Sequence, residues 1–342
     1  MSETTNKKKT DKMKGSILTL VLVSVCVFVF GAILGFLTGD DSVIKEASVN
    51  RQVAPESSHY DSDKSTSNNK TSDSDETEEL KKLENQLENL VKDKYPTVEL
   101  SFAIKNLDTG VSVVHNNKKL NSASVIKLFI AGTVYSGIED GTYELSDERA
   151  QELDIMISES DNEASRNFID DFGGINPKTR RVESNNRINE FIKKMGYSDT
   201  EINRKMYSTT PPGGPTGFEN YTSVEDVVMF LEGIYNKSLF EEPHNTEFLN
   251  LLKNQKRRTK IPAKITEKFP WVTVANKTGE LSRVENDAAI ITSDKFNIIF
   301  AVMINEIPLK EDGSTDYPLK EKVQETIADM GLMVVEYYSS KQ

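Results

Sequence analysis

From residue 78 onward the apolar positions fall into patterns that specify secondary structure. Leu80, Leu83, Leu87, Leu90 and Val91 recur at helical spacing and predict a helix over 78–93. Residues 99–107 alternate as a strand, Asp108-Thr109-Gly110 turns the chain, and 111–115 return as a hairpin arm. Residues 124–135 form an apolar run of helical length. Helical patterns follow at about 146–158, 161–171, 184–195, 223–236 and 245–254. Two strands at 287–292 and 297–305 are joined by Ser293-Asp294-Lys295, and a last helix covers about 319–338. Strands thus lie at both ends of this region, with helices between them. Such an order predicts an α/β (α+β) lobe built from both chain ends with an all-helical lobe inserted. The cleft between two such lobes is the expected place for a site.

The N-terminal part reads differently. Residues 17–37 carry no charge, a length that spans a bilayer as a helix. Lys7, Lys8, Lys9, Lys12 and Lys14 precede the run and Asp40-Asp41 follow it, which predicts a cytoplasmic N-terminus. The expected order is a cytoplasmic tail at 1–14, a membrane helix at 15–38 and a polar tether at 39–75. A folded domain at 76–342 would then lie outside the cell, held to the cell membrane by a single pass. A cleaved signal peptide is the competing reading, but no small-x-small site precedes Asp40, and Val25 before Cys26 makes a poor lipidation site. The tether is rich in Ser, Asp, Asn and Lys and has too little apolar surface to fold alone.

Composition narrows the function classes. The net charge of −12 argues against nucleic-acid binding and against a domain lying flat on an anionic membrane. Cys26 is the one cysteine, so no internal disulfide or cysteine-ligated metal is possible. His59, His115 and His244 show no ligand spacing, and no Gly-x-Ser-x-Gly elbow accompanies them. No metal or cofactor is expected.

Three short segments carry chemistry. Ser-x-x-Lys is weak by itself: Ser124-Val125-Ile126-Lys127 repeats as Ser42-Val43-Ile44-Lys45, and Ser67-Asn68-Asn69-Lys70 lies in the tether. Only Ser124 opens an apolar helix directly after a strand pair. A helix start offers free N–H groups and a positive dipole end to a developing oxyanion. Spacing by three places Lys127 on the same face, where a partly dry lysine can act as base for the hydroxyl. An N-cap serine with a snorkelling lysine is the plainer reading. In Ser160-Asp161-Asn162, Ser160 would pass a proton to the leaving group and Asn162 would bind a substrate amide. Asp161 would be buried and structural. A capping box from Ser160 to Glu163 explains the same residues. Lys277-Thr278-Gly279 follows Val272-Thr273-Val274-Ala275, which alternates as a strand; Lys277 would hold a substrate carboxylate, Thr278 would hydrogen-bond it, and Gly279 would admit a ligand close to the strand. An edge-strand lysine entering a turn is the alternative.

The three segments in this order resemble the motif set of the class A β-lactamase-like serine hydrolases, the penicillin-recognising enzymes. The resemblance extends from about 95 to 342 and includes Met156 to Ser165 and Asn286-Asp287-Ala288-Ala289-Ile290-Ile291. It implies a β-lactamase/transpeptidase-like fold: an antiparallel sheet flanked by N- and C-terminal helices, plus the helical lobe. It also implies that Ser124 attacks a β-lactam or a D-Ala-D-Ala-like amide of a peptidoglycan stem peptide and becomes acylated. The oxyanion would lie between the N–H groups of Ser124 and Glu280, with Arg283 a further carboxylate anchor.

The sequence departs from that family on the deacylation side. Class A enzymes place a water-holding glutamate two residues beyond an arginine. Here Ile202-Asn203-Arg204-Lys205-Met206 puts Met206 there. Glu201 and Glu219 fall outside the pattern and read as solvated loop residues. Ser160 follows Ser124 by only 36 positions, and the glycine- and proline-rich loop at 209–215 has no counterpart. Acylation with slow release is therefore the expected chemistry. The alternatives are a penicillin-binding, D,D-peptidase-like cell-wall protein and a non-catalytic ligand-sensing module.

Overall fold

A computed structural model describes residues 68–174, 176, 179–206 and 219–341. The expected tail, membrane segment and most of the tether lie outside these residues, as does the loop at 209–215. Among the described residues no helix is long and apolar enough to cross a membrane.

The first helix, α1 (Asn68–Lys92), starts inside the segment read as tether. Its apolar stripe begins only at Leu80, which is why periodicity placed the start too late. Strands β1 (Glu99–Asn106) and β2 (Ser112–His115) form the expected hairpin, and a short β3 (Leu120–Asn121) follows. The helical lobe contains α2 (Lys127–Glu139), α3 (Asp147–Ser158), α4 (Asn162–Asp171), α5 (Arg180–Lys194), α6 (Val224–Tyr235) and α7 (His244–Lys253). Strand β4 (Tyr221–Thr222) precedes α6 and pairs with β3. The chain then returns through α8 (Ile261–Lys268), β5 (Thr273–Leu281), β6 (Val284–Thr292), β7 (Asn297–Asn305) and α9 (Tyr317–Ser340).

The main sheet has five antiparallel strands in the order β2-β1-β7-β6-β5. The first and last strands in sequence, β1 and β7, are neighbours, so both chain ends build one lobe. Alternation along β7 divides the core. Ile298, Phe300, Val302 and Ile304 face one cluster with residues of α1, α8 and α9, whereas Ile299, Ala301 and Met303 face the helical lobe. Helix α2 is buried on all sides from Lys127 to Tyr135, as expected of a helix at the centre of a bundle.

Candidate active site

Ser124 does not open an α-helix. Ala123–Ile126 is a 3-10 turn, and the α-helix begins at Lys127. The reason lies one residue upstream, where Ala123 adopts φ 46°, a left-handed conformation costly for a residue with a Cβ. Asparagines hold that strained turn. Asn286 Nδ2 donates to the carbonyls of Asn121 (2.9 Å) and Ser122 (3.2 Å), and Asn305 Oδ1 accepts from the Asn121 N–H at 3.0 Å. The Asn220 carbonyl accepts both the N–H and the Oγ of Ser122, each at 2.9 Å. Neither Ser124 Oγ nor its N–H has a hydrogen-bond partner among the described residues, and the side chain is half-buried.

The edge strand β5 packs directly on this turn. A Cβ on Gly279 would lie 2.7 Å from the Ser122 carbonyl and 3.1 Å from Val125 N. Gly279 therefore makes room for the turn that carries Ser124, a closer constraint than the ligand approach expected from sequence. Gly279→Ala should destabilise the protein by about 1–3 kcal/mol through overpacking. It should also displace Ser124, so thermal melting and labelling by penicillin should both fall. A variant that melts and labels like the parent would refute the contact.

The opposite wall comes from the α3–α4 junction. Ser160 has φ 62°, and Asp161, not Ser160, caps α4 by accepting from Ala164 N at 2.8 Å. The cap thus sits one residue later than the capping box read from Ser160 to Glu163, and with Ala164 at the third position no box forms. Asp161 is half-buried rather than buried, and its role is structural as expected. Freed from capping, Ser160 points between two buried lysines. Lys127 Nζ donates to Ser160 O (2.6 Å), Ser160 Oγ (3.3 Å) and Asn162 Oδ1 (2.7 Å). Lys277 Nζ donates to Ser160 Oγ (2.8 Å) and Thr278 O (2.9 Å). Burial disfavours the charge on Lys127 and pushes its pKa down to about 7, against the attraction of Asp161. Lys277 is driven well below the ordinary lysine range by burial, with Lys127 and Arg257 adding repulsion.

Other expected site residues fall as follows. Thr278 is almost fully buried beside Asp287 on the neighbouring strand. Glu280 pairs with Lys260 (3.1 Å) and approaches Arg257 (3.5 Å). Arg283 lies in the β5–β6 turn, where its guanidinium binds the Ile307 carbonyl (3.2 Å) and Glu306 (2.5 Å). Met206 packs against the hydrophobic core of the helical lobe. Glu219 is ion-paired to Arg204 at 2.5 Å and Glu201 to Lys119 at 3.0 Å, and both carboxylates remain partly exposed to solvent. Sequence reasoning did not single out Asn121, Asn220, Asn305, Lys260 or Arg257, which carry no motif and meet only in the fold.

Comparison with known proteins agrees with this fold. The model of the "Beta-lactamase enzyme family" matches residues 82–155 and 150–338. The β-lactamase from Sphaerobacter thermophilus superposes with TM-score 0.60 at 19% identity, covering 74% of this chain and 97% of that one. PBP-A gives TM-score 0.61 at 19% identity, covering 76% and 97%. An ancestral class A β-lactamase of Gram-negative bacteria gives 0.60 at 18% identity, covering 75% and 99%. No curated protein sequence matches the chain. At such identities the superpositions establish the fold, and the family match spans most of the sequence. The chain, with its antiparallel sheet, inserted helical lobe and Ser-x-x-Lys turn at their junction, belongs to the beta-lactamase enzyme family.

Proposed function

We propose that this chain is a serine hydrolase acylated at Ser124 by β-lactams or D-Ala-D-Ala-like amides, and that the acyl group leaves slowly. The observation carrying the proposal is Ser160 Oγ held between Lys127 and Lys277, with Lys127 poised to be neutral near pH 7. In this reading neutral Lys127 takes the Ser124 proton as Oγ bonds to the substrate carbonyl carbon. The negative oxygen is met by the Ser124 and Glu280 N–H groups. Leu281 pairs with Val284 across a two-residue turn, so alternation turns the Glu280 N–H off the free edge of β5. As the intermediate collapses, the C–N bond breaks and the leaving nitrogen takes a proton from Ser160. Lys127 returns its captured proton to Ser160. The Asn162 amide nitrogen, which has no partner among the described residues, is placed to bind a substrate carbonyl.

Met206 supports slow release, because a thioether packed on the core cannot activate water. The same observation favours a cell-wall reading, in which the natural acyl donor is a peptidoglycan stem peptide. Among the related folds is a PBP-A point mutant solved as an acyl-enzyme complex with penicillin G. The uncharged run within 15–38 would tether the domain outside the cell membrane. Time-resolved mass measurement of the intact protein with benzylpenicillin tests the proposal. The expected result is one stoichiometric adduct that persists for minutes or longer. Release within seconds would overturn slow turnover, and no adduct at all would leave only the ligand-sensing alternative.

A further inference from the structure

Behind the β5–β6 hairpin lies a buried charge cluster that the chemistry above does not use. Lys260 immediately precedes α8 and is fully buried. Its Nζ lies 2.7 Å from Glu285 Oε2 and 3.1 Å from Glu280 Oε1, and donates to the carbonyls of Gly279 (3.4 Å) and Asn286 (3.1 Å). Glu285 Oε1 pairs with Lys320 Nζ at 2.7 Å and accepts from Gln324 Nε2 at 3.1 Å. Lys320, in the first turn of α9, donates in turn to the carbonyls of Leu281 and Val284 (3.2 Å). Two cations from two helix starts thus bind carbonyls on both arms of one hairpin tip, with Glu285 between them.

Stability alone is a poor reason for this cluster. A buried ion pair commonly contributes no more than apolar packing of the same volume. A lysine at a helix N-terminus also faces the positive end of the dipole. What the cluster supplies is direction. The Gly279 carbonyl and the Glu280 N–H belong to the same peptide plane and point opposite ways in a trans peptide. The β5–β6 ladder turns the Glu280 N–H off the free edge of β5, and a cation on the opposite carbonyl reinforces that orientation and polarises the peptide so that the N–H donates more strongly.

We propose that Lys260, held by Glu285 and Lys320, is a positioning residue for the oxyanion donor at Glu280. It acts through the Gly279–Glu280 peptide and touches no substrate. The inference rests on the acylation of Ser124 proposed above. An oxyanion donor has to stand within about 2.7–3.1 Å of the developing charge, and losing one costs about 100- to 1,000-fold. A misaimed donor should cost part of that.

The test uses the full chain with benzylpenicillin, following the acylation rate, the melting temperature and the infrared carbonyl stretch of the acyl-enzyme. Lys260→Met should slow acylation about 10- to 100-fold. It should also raise the carbonyl frequency, because a less polarised carbonyl stretches faster. Lys260→Met leaves Glu285 with Lys320 alone, so Lys260→Met/Glu285→Gln, which removes the surplus carboxylate charge yet keeps an oxygen for Lys320 and Gln324, serves as the second variant. It should recover the melting temperature yet keep the slow rate and raised frequency. Recovery of rate and frequency together with stability would make the cluster merely structural and overturn the inference. So would a Lys260→Met variant with parental rate and frequency. If the parent protein itself forms no adduct, the acylation reading fails first, and the two failures are distinguishable.

Discussion

Ser124→Ala should abolish the penicilloyl adduct, and Lys127→Met should slow its formation by about 100- to 10,000-fold, the range for losing a positioned general base. The first expectation follows from position. Ser42 stands in the same tetrapeptide as Ser124, but Ser42 lies beside the uncharged N-terminal run. Ser124 lies on the turn that β5, the strand carrying Lys277, packs against, and Lys127 at the end of that turn reaches Ser160. Labelling that survives Ser124→Ala would therefore remove the basis of the proposed mechanism. The second expectation has a pH signature. Burial lowers Lys127 to about 7, so its neutral, proton-accepting form grows as pH rises through that value. The parent acylation rate should climb through pH 7 and level off above it. Lys127→Met should flatten the climb as well as lower the rate. A parent profile without an inflection near pH 7, or a variant that keeps the inflection, would assign the base elsewhere.

Met206→Glu should shorten the life of the acyl-enzyme about 100-fold, at the low end of what general-base catalysis contributes. Met206 occupies the place where the family's water-holding glutamate was expected, and its side chain is packed on the lobe core. A carboxylate there has to turn away from apolar neighbours, so some loss of melting temperature is expected with the gain in release. Adduct decay after removal of free benzylpenicillin measures it. An unchanged lifetime in a folded variant would mean that water is excluded by something other than the missing carboxylate.

The two-lobe fold was legible because each layer kept its own period. Leu80 to Val91 repeat at helical spacing, and the strand at 297–305 is apolar on both faces. Lys127 and Ser160 were legible from residue type and order. Strand β5 was legible only at its first residues, because its far half is polar, Lys277-Thr278-Gly279-Glu280, and gains burial from the turn it covers. The 3-10 turn at Ser124 was hidden, since nothing in Ala123 announces a left-handed backbone. No motif marks Lys260 or Glu285, and both are buried because α8, α9 and the hairpin close around them. The asparagines around Ser122 are separated by as much as 184 positions, from Asn121 to Asn305, and only the sheet brings them together.

Asn220 links the segment at Asn203 and Arg204 to the turn that carries Ser124. Its side-chain oxygen accepts from the N–H groups of Asn203 and Arg204, beside Met206, and its main-chain oxygen holds Ser122. Under the proposed mechanism, the stretch that would supply a releasing water and the turn that would aim the Ser124 nucleophile thus hang from one residue. Evolution toward fast antibiotic destruction would then meet a trade-off in this lineage. Changes that reshape the segment after Arg204 loosen the Ser122 anchor as well. Drug resistance would arise more readily by exchanging the side chain at position 206 than by inserting or deleting residues around it.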